Sequence, residues 1–201
     1  MFGMRTSNSW RTWILNDIPA NSRCVEVGVW KGDFSAEIMS TAKPSELHLV
    51  DPWDFRPSYP NRWYGGAKAA SQSDMDSIHA EVVKRFQGER AVQIHRMASL
   101  EAAIQFPDEG LDWVYIDGDH SYEAVKADLV SWIPKVKSGM FLAGDDYDWL
   151  DESGAPSVQR AVEEVLSELR LGRAEVEGGQ YRIRVPSRAP SIGGFPDQVC
   201  L

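Results

Sequence analysis

Short apolar runs alternate with stretches of helical periodicity along most of this chain. Runs of four to six residues rich in Val, Leu and Ile are typical of buried strands. Alternating strands and helices predict a doubly wound, mainly parallel α/β sheet, here with seven strands and an antiparallel C-terminal segment. The predicted strands cover 24–27, 47–50, 91–95, 111–116, 139–143 and a pair within 174–185, and the predicted helices cover 10–16, 33–41, 75–86, 100–105, 122–132 and 157–169.

Residues 52–76 interrupt this alternation with a segment rich in prolines and aromatic residues. Disordered segments are poor in aromatic residues, so we expect an ordered insertion, and insertions of this length are usually functional. It is predicted to form a lid or a substrate wall, with simple packing over a helix as the alternative. The prolines are Pro52, Pro57 and Pro60, and the aromatic residues are Trp53, Phe55, Tyr59, Trp63 and Tyr64.

The first strand ends in a glycine-containing turn within residues 25–35. Gly28 and Gly32 permit positive φ and leave room for a ligand beside the backbone. The helix that begins near Asp33 directs its unpaired N–H groups and its positive end toward such a ligand. A dinucleotide site needs another glycine where Trp30 stands, so the indole argues against a bound pyrophosphate. Taken alone, the turn is equally compatible with a purely structural role.

An acidic residue, Asp51, ends the second predicted strand, 23 positions after Gly28. In related nucleotide-binding sheets an acidic residue at about this spacing accepts hydrogen bonds from ribose hydroxyls. Each half of this pattern is common in α/β sheets, but the combination is far more specific. The turn and Asp51 together predict a site for a nucleotide-like cofactor without a pyrophosphate.

Two acidic segments follow later strands, at 117–120 and 145–146. Ligands of open α/β sheets bind outside the carboxyl ends of the strands, so both segments face the predicted cofactor crevice. Neither contains Lys or Arg, and like charges about 4 Å apart repel by roughly 4 kcal/mol at an effective dielectric of 20. A divalent cation such as Mg²⁺, Mn²⁺ or Ca²⁺ would relieve this repulsion and acidify a substrate hydroxyl.

His120 is the candidate general base of these segments, because its imidazole titrates near neutral pH. Asp119 is the competing base. In the alternative interpretation, Asp119 caps the following helix, Asp145 or Asp146 forms a turn, and His120 is merely exposed. We expect the other three histidines, His48, His79 and His95, to be structural.

Length and composition narrow the classes of function. At 201 residues the chain is long enough for one α/β domain. The formal net charge of −9 disfavours a nucleic-acid partner and favours a neutral or cationic small substrate. Cys24 and Cys200 lack metal-site spacing, and no signal peptide or long apolar span is evident. We therefore expect a cytoplasmic protein without a membrane partner.

The motifs at 26–35, 49–51, 114–120 and 140–147 together resemble those of class I S-adenosylmethionine-dependent methyltransferases. Within that class the chain looks like the subgroup of metal-dependent macrolide and aminocoumarin sugar O-methyltransferases, over about residues 20–170. The resemblance implies a Rossmann-like methyltransferase fold. It also implies cofactor contacts, Mg²⁺ or another divalent cation, and a base. The implied cofactor-binding residues are Glu26, Gly28, Gly32, Ser35, Asp51, Ser99 and Asp117, the metal ligands are Asp117, Asp145 and Asp146, and the base is His120 or Asp119.

The sequence departs from the family near Ser99, because the acidic residue often found there is absent from 97–99. We expect residues 1–186 to form one methyltransferase domain, with 52–76 as its insertion and 187–201 as a loosely ordered tail.

The hypothesis is transfer of a methyl group from S-adenosylmethionine to a hydroxyl of a small molecule, a sugar or another vicinal diol. The alternatives are a metal-assisted hydrolase or hydroxylase, and a noncatalytic cofactor-binding module. A homo-oligomer is compatible with the sequence.

Overall fold

The protein is described by a computed structural model over residues 12–186. Within this range no helix is long and apolar enough to cross a membrane. Two short 3₁₀ turns, Trp63–Gly65 and Ile133–Lys135, supplement the regular elements. The strands are β1 (Arg23–Val27), β2 (Glu46–Asp51), β3 (Val92–Arg96), β4 (Leu111–Ile116), β5 (Val136–Gly144), β6 (Glu175–Glu177) and β7 (Gln180–Arg184), and the helices are α1 (Thr12–Asn16), α2 (Asp33–Thr41), α3 (Gln72–Arg85), α4 (Ser99–Ala103), α5 (Tyr122–Trp132) and α6 (Ser157–Glu168).

The seven strands form one sheet in the order β3-β2-β1-β4-β5-β7-β6. The pairs among β1 to β5 are parallel, and β7 pairs antiparallel with both β5 and β6. This confirms the predicted α/β fold with its antiparallel C-terminal strand. The strand order reverses between β1 and β4, and in such sheets the ligand crevice lies outside the carboxyl ends of the strands at this point.

Both faces of the sheet are covered by helices, which explains the continuous apolar runs of the central strands. Along β4, Val114 and Ile116 pack in the layer that contains α5 and α6. Trp113 and Tyr115 alternate with them and pack in the opposite layer, with α1, α2 and α3. The two-residue alternation of a strand thus sends neighbouring side chains into different cores.

Some boundaries differ from the predicted ones. The insertion ends at residue 71 instead of 76, because α3 begins at Gln72, where Ser71 Oγ accepts the N–H of Asp74 at 3.2 Å. Strand β5 begins at Val136, three residues before the predicted start. The predicted first helix is described from Thr12 onward, and the predicted tail at 187–201 lies outside the described residues.

Candidate active site

The turn after β1 packs directly against the end of β4. Gly28 has φ +88°, and a Cβ at this position would lie 2.0 Å from the carbonyl oxygen of Asp117. Gly32 has φ +74° and caps the N-terminus of α2. Only glycine meets both requirements at Gly28, a left-handed backbone and this close approach. The predicted cofactor turn and the first acidic segment are therefore in contact.

Asp51 organises this turn through its carboxylate. Oδ2 accepts the N–H groups of Val29 at 3.1 Å and Trp30 at 3.0 Å, and Oδ1 accepts the N–H of Trp53 at 2.7 Å. Burial raises the pKa of Asp51, and the three N–H bonds oppose that rise only in part. Trp30 has φ +53°, a strained conformation for an indole residue, which these bonds stabilise.

Glu26 and Ser35 lie together beneath the same turn. Both are buried, and the Ser35 hydroxyl donates a hydrogen bond to Glu26 Oε2. This bond connects the end of β1 to the first turn of α2. The structure thus brings four of the predicted cofactor residues, Glu26, Gly28, Ser35 and Asp51, to one edge of the sheet, and their contact with a cofactor stays a prediction.

Ser99 begins α4, and its hydroxyl is used within the protein. Its Oγ donates to Asp128 Oδ1 at 2.5 Å and accepts the Trp132 Nε1–H at 2.9 Å. Burial raises the pKa of Asp128 to about 6. The single hydroxyl donor of Ser99 is therefore already used within the protein, which the sequence does not reveal.

Two carboxylates and one imidazole lie together at the ends of β4 and β5. We call this set, Asp117, His120 and Asp146, the acidic group. His120 Nε2 is 3.3 Å from Asp146 Oδ2 and 3.5 Å from Asp117 Oδ1. Burial lowers the pKa of His120, but the two carboxylates outweigh this effect and raise it overall. One ligand atom from each of the three residues lies within 4.8 Å of the others. This arrangement can hold either a proton or a cation.

Asp145 does not belong to this group. The predicted metal ligands were Asp117, Asp145 and Asp146, whereas the group contains His120 in place of Asp145. Asp145 is only 4% exposed, and its Oδ1 accepts the N–H of Asp146 at 2.9 Å. That bond stabilises the left-handed backbone of Asp146, whose φ is +55°. His120 occupies the third place in the group, and Asp145 positions the backbone of Asp146.

Asp119 forms a turn with one carboxylate oxygen and contacts the insertion with the other, and its role as a base stays a prediction. Its Oδ1 accepts the N–H of Ser121 at 2.8 Å, which forms the turn before α5. Its Oδ2 accepts the hydroxyl of Tyr64 at 3.4 Å. Burial and the charge of Asp119 raise the pKa of Tyr64 to about 12. Tyr64 therefore remains a hydrogen-bond donor to Asp119 at neutral pH.

The 52–71 insertion lies over the loops that follow β1 and β4. Trp53 is buried, and its Nε1–H donates to the carbonyl oxygen of Trp30 at 2.9 Å. The rings of Trp30 and Trp63 have centroids 5.6 Å apart. With the bond from Tyr64 to Asp119, these contacts connect the insertion to both sides of the site.

Arg62 is a site residue that the sequence did not indicate. Its guanidinium carbon lies 4.5 Å from the ring centroid of Trp149, and that ring is 4.9 Å from the imidazole of His120. Trp149 also lines an open cleft of about 400 Å³ with both acidic residues after β5. The aromatic content indicated that the insertion is ordered, but no local pattern shows which loop its arginine contacts. The residues lining the cleft are Asp145, Asp146, Asp148, Trp149, Leu150, Gly178 and Gly179.

The remaining histidines do not join the acidic group. His48 Nδ1 lies 3.0 Å from His95 Nε2 between adjacent strands. The ring of His79 packs on Trp53 with centroids 4.7 Å apart. Burial lowers the pKa of all three, so they are neutral at physiological pH. These contacts agree with the structural role expected for them.

Comparison with known proteins identifies the family of this site. A family model described as "Methyltransferase domain" matches residues 25–147, from the first strand through the second acidic segment. The chain belongs to this methyltransferase family. An uncharacterised protein of Acanthamoeba polyphaga mimivirus is 25% identical over 177 residues, which are 86% of this chain and 67% of that protein.

Solved structures show the same fold. A Corynebacterium glutamicum protein has a TM-score of 0.59 at 13% identity, covering 87% of this chain and 78% of that one. A SAM-dependent methyltransferase from Aquifex aeolicus has a TM-score of 0.55 at 16% identity, covering 86% of each chain.

The protein is thus a class I S-adenosylmethionine-dependent methyltransferase, and the hydrolase and noncatalytic interpretations are set aside. The residues present are compatible with that cofactor, because Gly28 and Gly32 form the turn after β1 and Trp30 stands where a dinucleotide-binding turn carries a glycine.

Proposed function

We propose that this methyltransferase methylates a hydroxyl group of a small molecule, a sugar or another vicinal diol, with the assistance of a divalent cation. The observation that carries the proposal is the contact between the cofactor turn and the acidic group. Gly28 packs on the backbone of Asp117, and the carboxylate of Asp117 lies 3.5 Å from His120 Nε2. A candidate base is therefore next to the place where the methyl donor would bind.

The chain's own residues supply binding, orientation and proton transfer. The turn at Gly28 and Gly32 would receive the cofactor, with Glu26, Ser35 and Asp51 supporting it from below. When bound, S-adenosylmethionine supplies the methyl group on its sulfonium. Aligning the acceptor hydroxyl with that methyl group is the main contribution of the protein, because a displacement depends strongly on distance and direction.

A cation fits the acidic group by the chemistry of its donors. Carboxylate oxygens of Asp117 and Asp146 suit Mg²⁺, and the addition of His120 Nε2 suits Mn²⁺ or another transition metal. The closely spaced donor atoms come from Asp117, His120 and Asp146 and do not include an oxygen of Asp145. We therefore propose Asp117, Asp146 and His120 as ligands, with Asp145 as the alternative to His120.

The choice of base follows from the role of His120. If His120 binds the cation, its Nε2 lone pair is occupied and Asp119 takes the proton from the acceptor. If the ion binds the carboxylates alone, His120 takes the proton. Tyr64 donates to Asp119 Oδ2 in the structure, so an acceptor hydroxyl would have to share or replace that bond.

An assay of methyl transfer tests this proposal. Labelled S-adenosylmethionine is incubated with sugars and other vicinal diols, with Mg²⁺ or Mn²⁺ and with EDTA. We expect product that depends on the cation. Activity unchanged by EDTA would contradict the metal role but leave the methyltransferase, whereas no binding of S-adenosylhomocysteine in calorimetry would contradict the cofactor site.

A pair of variants locates the cation. Asp146→Asn removes one ligand charge and is expected to lower methyl transfer by about 100-fold, since metal sites depend on each ligand and its support. Its affinity for S-adenosylhomocysteine should stay within about threefold of the wild type, because Asp146 lies outside the cofactor turn. Asp148→Asn, an exposed neighbour in the same loop, is the matched control. Equal activity of the two variants would show that Asp146 holds no cation.

The acceptor is further proposed to be a small molecule and not a nucleic acid. The cleft beside Trp149 is lined by three carboxylates, and the chain carries a net charge of −9, which repels a polyanion. A cytoplasmic location remains our expectation from the sequence.

A further inference from the structure

Arg62 is held at the edge of the site by its backbone and by an aromatic ring. Its N–H donates to the carbonyl oxygen of Tyr59 at 2.9 Å, and its own carbonyl oxygen accepts the N–H groups of Gly65 and Ala67, both at 3.0 Å. The guanidinium lies over the ring of Trp149. Stacking uses the flat face of a guanidinium and leaves its five N–H donors in the plane available.

Arg62 forms no ion pair with any residue in 12–186, as is also true of Arg56 and Arg160, whereas five other arginines of this range do. What distinguishes Arg62 is its place over Trp149 beside the acidic group. Its partner Trp149 also has a buried indole Nε1 without a hydrogen-bond acceptor in the same range. Two neighbouring donors thus lack acceptors in a protein that has an excess of acidic residues. The paired arginines are Arg23 with Glu46, Arg85 with Asp33, Arg96 with Asp76, and Arg182 and Arg184 with Glu175.

The position of Arg62 connects it to the reaction site. Trp149 packs on His120 and lines the cleft together with Asp146. Two residues after Arg62, Tyr64 donates to Asp119. A group bound by Arg62 would therefore lie beside the hydroxyl that His120 or Asp119 deprotonates.

We propose that Arg62 binds an anionic group of the acceptor, a carboxylate or a phosphate, and that its stacking on Trp149 sets the guanidinium in place beforehand. The acceptor is then a hydroxylated acid or a phosphorylated polyol, and not the neutral or cationic molecule that the net charge of the chain favours. Arginine forms paired N–H···O bonds with both kinds of anion, which gives direction as well as charge. This inference rests on the proposed function, because it places the anion relative to the methylated hydroxyl.

Binding of matched sugars tests the inference. The protein saturated with S-adenosylhomocysteine is titrated with glucose, glucuronate and glucose 6-phosphate, and binding is measured by calorimetry and by ligand-observed NMR. EDTA is present so that a cation in the acidic group cannot bind the acids. We expect at least one acid to bind about tenfold or more tightly than glucose, as a paired arginine contact would provide. The two acids distinguish a carboxylate from a phosphate ligand.

Three variants assign the preference to Arg62. Arg62→Gln should remove the difference between the acids and glucose, while Arg62→Lys should retain part of it, because lysine keeps the charge but not the paired donors. Arg56→Gln, in the same insertion, is the control and should leave the difference unchanged. Thermal unfolding shows whether each variant is folded.

Two results would overturn the inference. One is equal binding of glucose and both acids by the wild type, and the other is a preference that survives in folded Arg62→Gln. The methyl-transfer assay remains separate. An acid preference without any methylated product contradicts the proposed function, whereas methylation of neutral diols by a protein with no acid preference contradicts only the role of Arg62.

Discussion

The cofactor turn and the acidic group touch each other, but they are built in different ways. In the turn, the Asp51 carboxylate accepts three backbone N–H groups from residues at most 22 positions away. The acidic group joins Asp117 and His120 to Asp146, and the imidazole Nδ1 has no partner within 12–186. Buried polar groups are normally satisfied, so an incomplete set is typical of a site that acquires a partner during function.

The difference suggests a division of roles. The Asp51 carboxylate is already paired with three backbone N–H groups, which hold the turn in its shape. A group of like charges around one imidazole responds to protons, cations and substrates, since each changes its electrostatic energy. The first region is suited to recognition of a common cofactor, and the second is suited to chemistry.

The largest expected effect comes from breaking the contact between the two regions. Gly28→Ala places a Cβ 2.0 Å from the Asp117 carbonyl oxygen, at φ +88°. We expect the free energy of unfolding to fall by about 4 kcal/mol, from overpacking and backbone strain combined. Binding of S-adenosylhomocysteine should be lost. Urea unfolding and calorimetry measure the two quantities.

Gly88→Ala is the control for this variant, because Gly88 has φ +93° but no atom within 4 Å of an added Cβ. Its free energy of unfolding should fall by only about 1 to 2 kcal/mol, which is the strain of an alanine with a left-handed backbone. Cofactor binding should stay intact. Equal losses for the two alanine variants would contradict the close packing of Gly28 on Asp117.

Asp128 is a buried carboxyl that lies outside both the cofactor turn and the acidic group. The pKa of Asp128 is raised to about 6 by burial, from 3.8 in the unfolded chain. Its ionised form is therefore less favourable in the folded state, so its contribution to stability is greatest below pH 3.8 and declines as the pH rises to about 6. Relative to that of Asp128→Asn, the free energy of unfolding of the wild type should fall by about 2 to 3 kcal/mol between pH 3.8 and about pH 6. It should fall no further at higher pH.

Urea unfolding of both proteins between pH 3.5 and pH 8 measures this difference. Methyl transfer should change less in Asp128→Asn than in Asp146→Asn, since Asp128 bonds Ser99 and lies outside the acidic group. Parallel stability curves for the two proteins would mean that Asp128 titrates normally. A raised pKa of Asp128 together with retained methyl transfer in Asp128→Asn would show that a shifted pKa by itself does not mark a catalytic group in this molecule.

The smallest effect is expected from loosening the insertion. Tyr64→Phe removes the 3.4 Å hydrogen bond to Asp119 Oδ2 and should lower the free energy of unfolding by about 1 kcal/mol or less. If Asp119 is the base, methyl transfer should change several-fold, because the variant removes the donor from its carboxylate. Tyr59→Phe, an exposed residue that packs on Tyr64, is the control. Identical rates for the two variants would argue that Asp119 takes no proton.

Local patterns were sufficient for most of the fold. The bounds predicted for β4 and α5 agree with the structure, because a fully buried strand and a helix capped by Ser121 each have strong short-range signals. The start of α3 was missed by three residues. Its cap at Ser71 lies within a polar segment that carries no apolar periodicity, so the predicted insertion was too long.

The site was predictable to the extent that it follows from strand order. Residues at the carboxyl ends of β1, β2, β4 and β5 must meet once the sheet is parallel and doubly wound, and the sequence indicates which residues these are. The sequence does not indicate which of them approach one another within hydrogen-bonding distance. Asp145 was grouped with the metal ligands, whereas the closely spaced trio contains His120 in its place, and the role of Asp145 as a ligand stays a prediction.

The sequence by itself determined the α/β fold, the glycine turn and the acidic strand ends, because these depend on backbone conformation and on periodicities of two and 3.6 residues. Only the tertiary structure decided that His120 lies between Asp117 and Asp146, and that Arg62 stacks on Trp149. Those contacts join segments 29 and 87 positions apart, and loop packing that no local propensity encodes sets their distances.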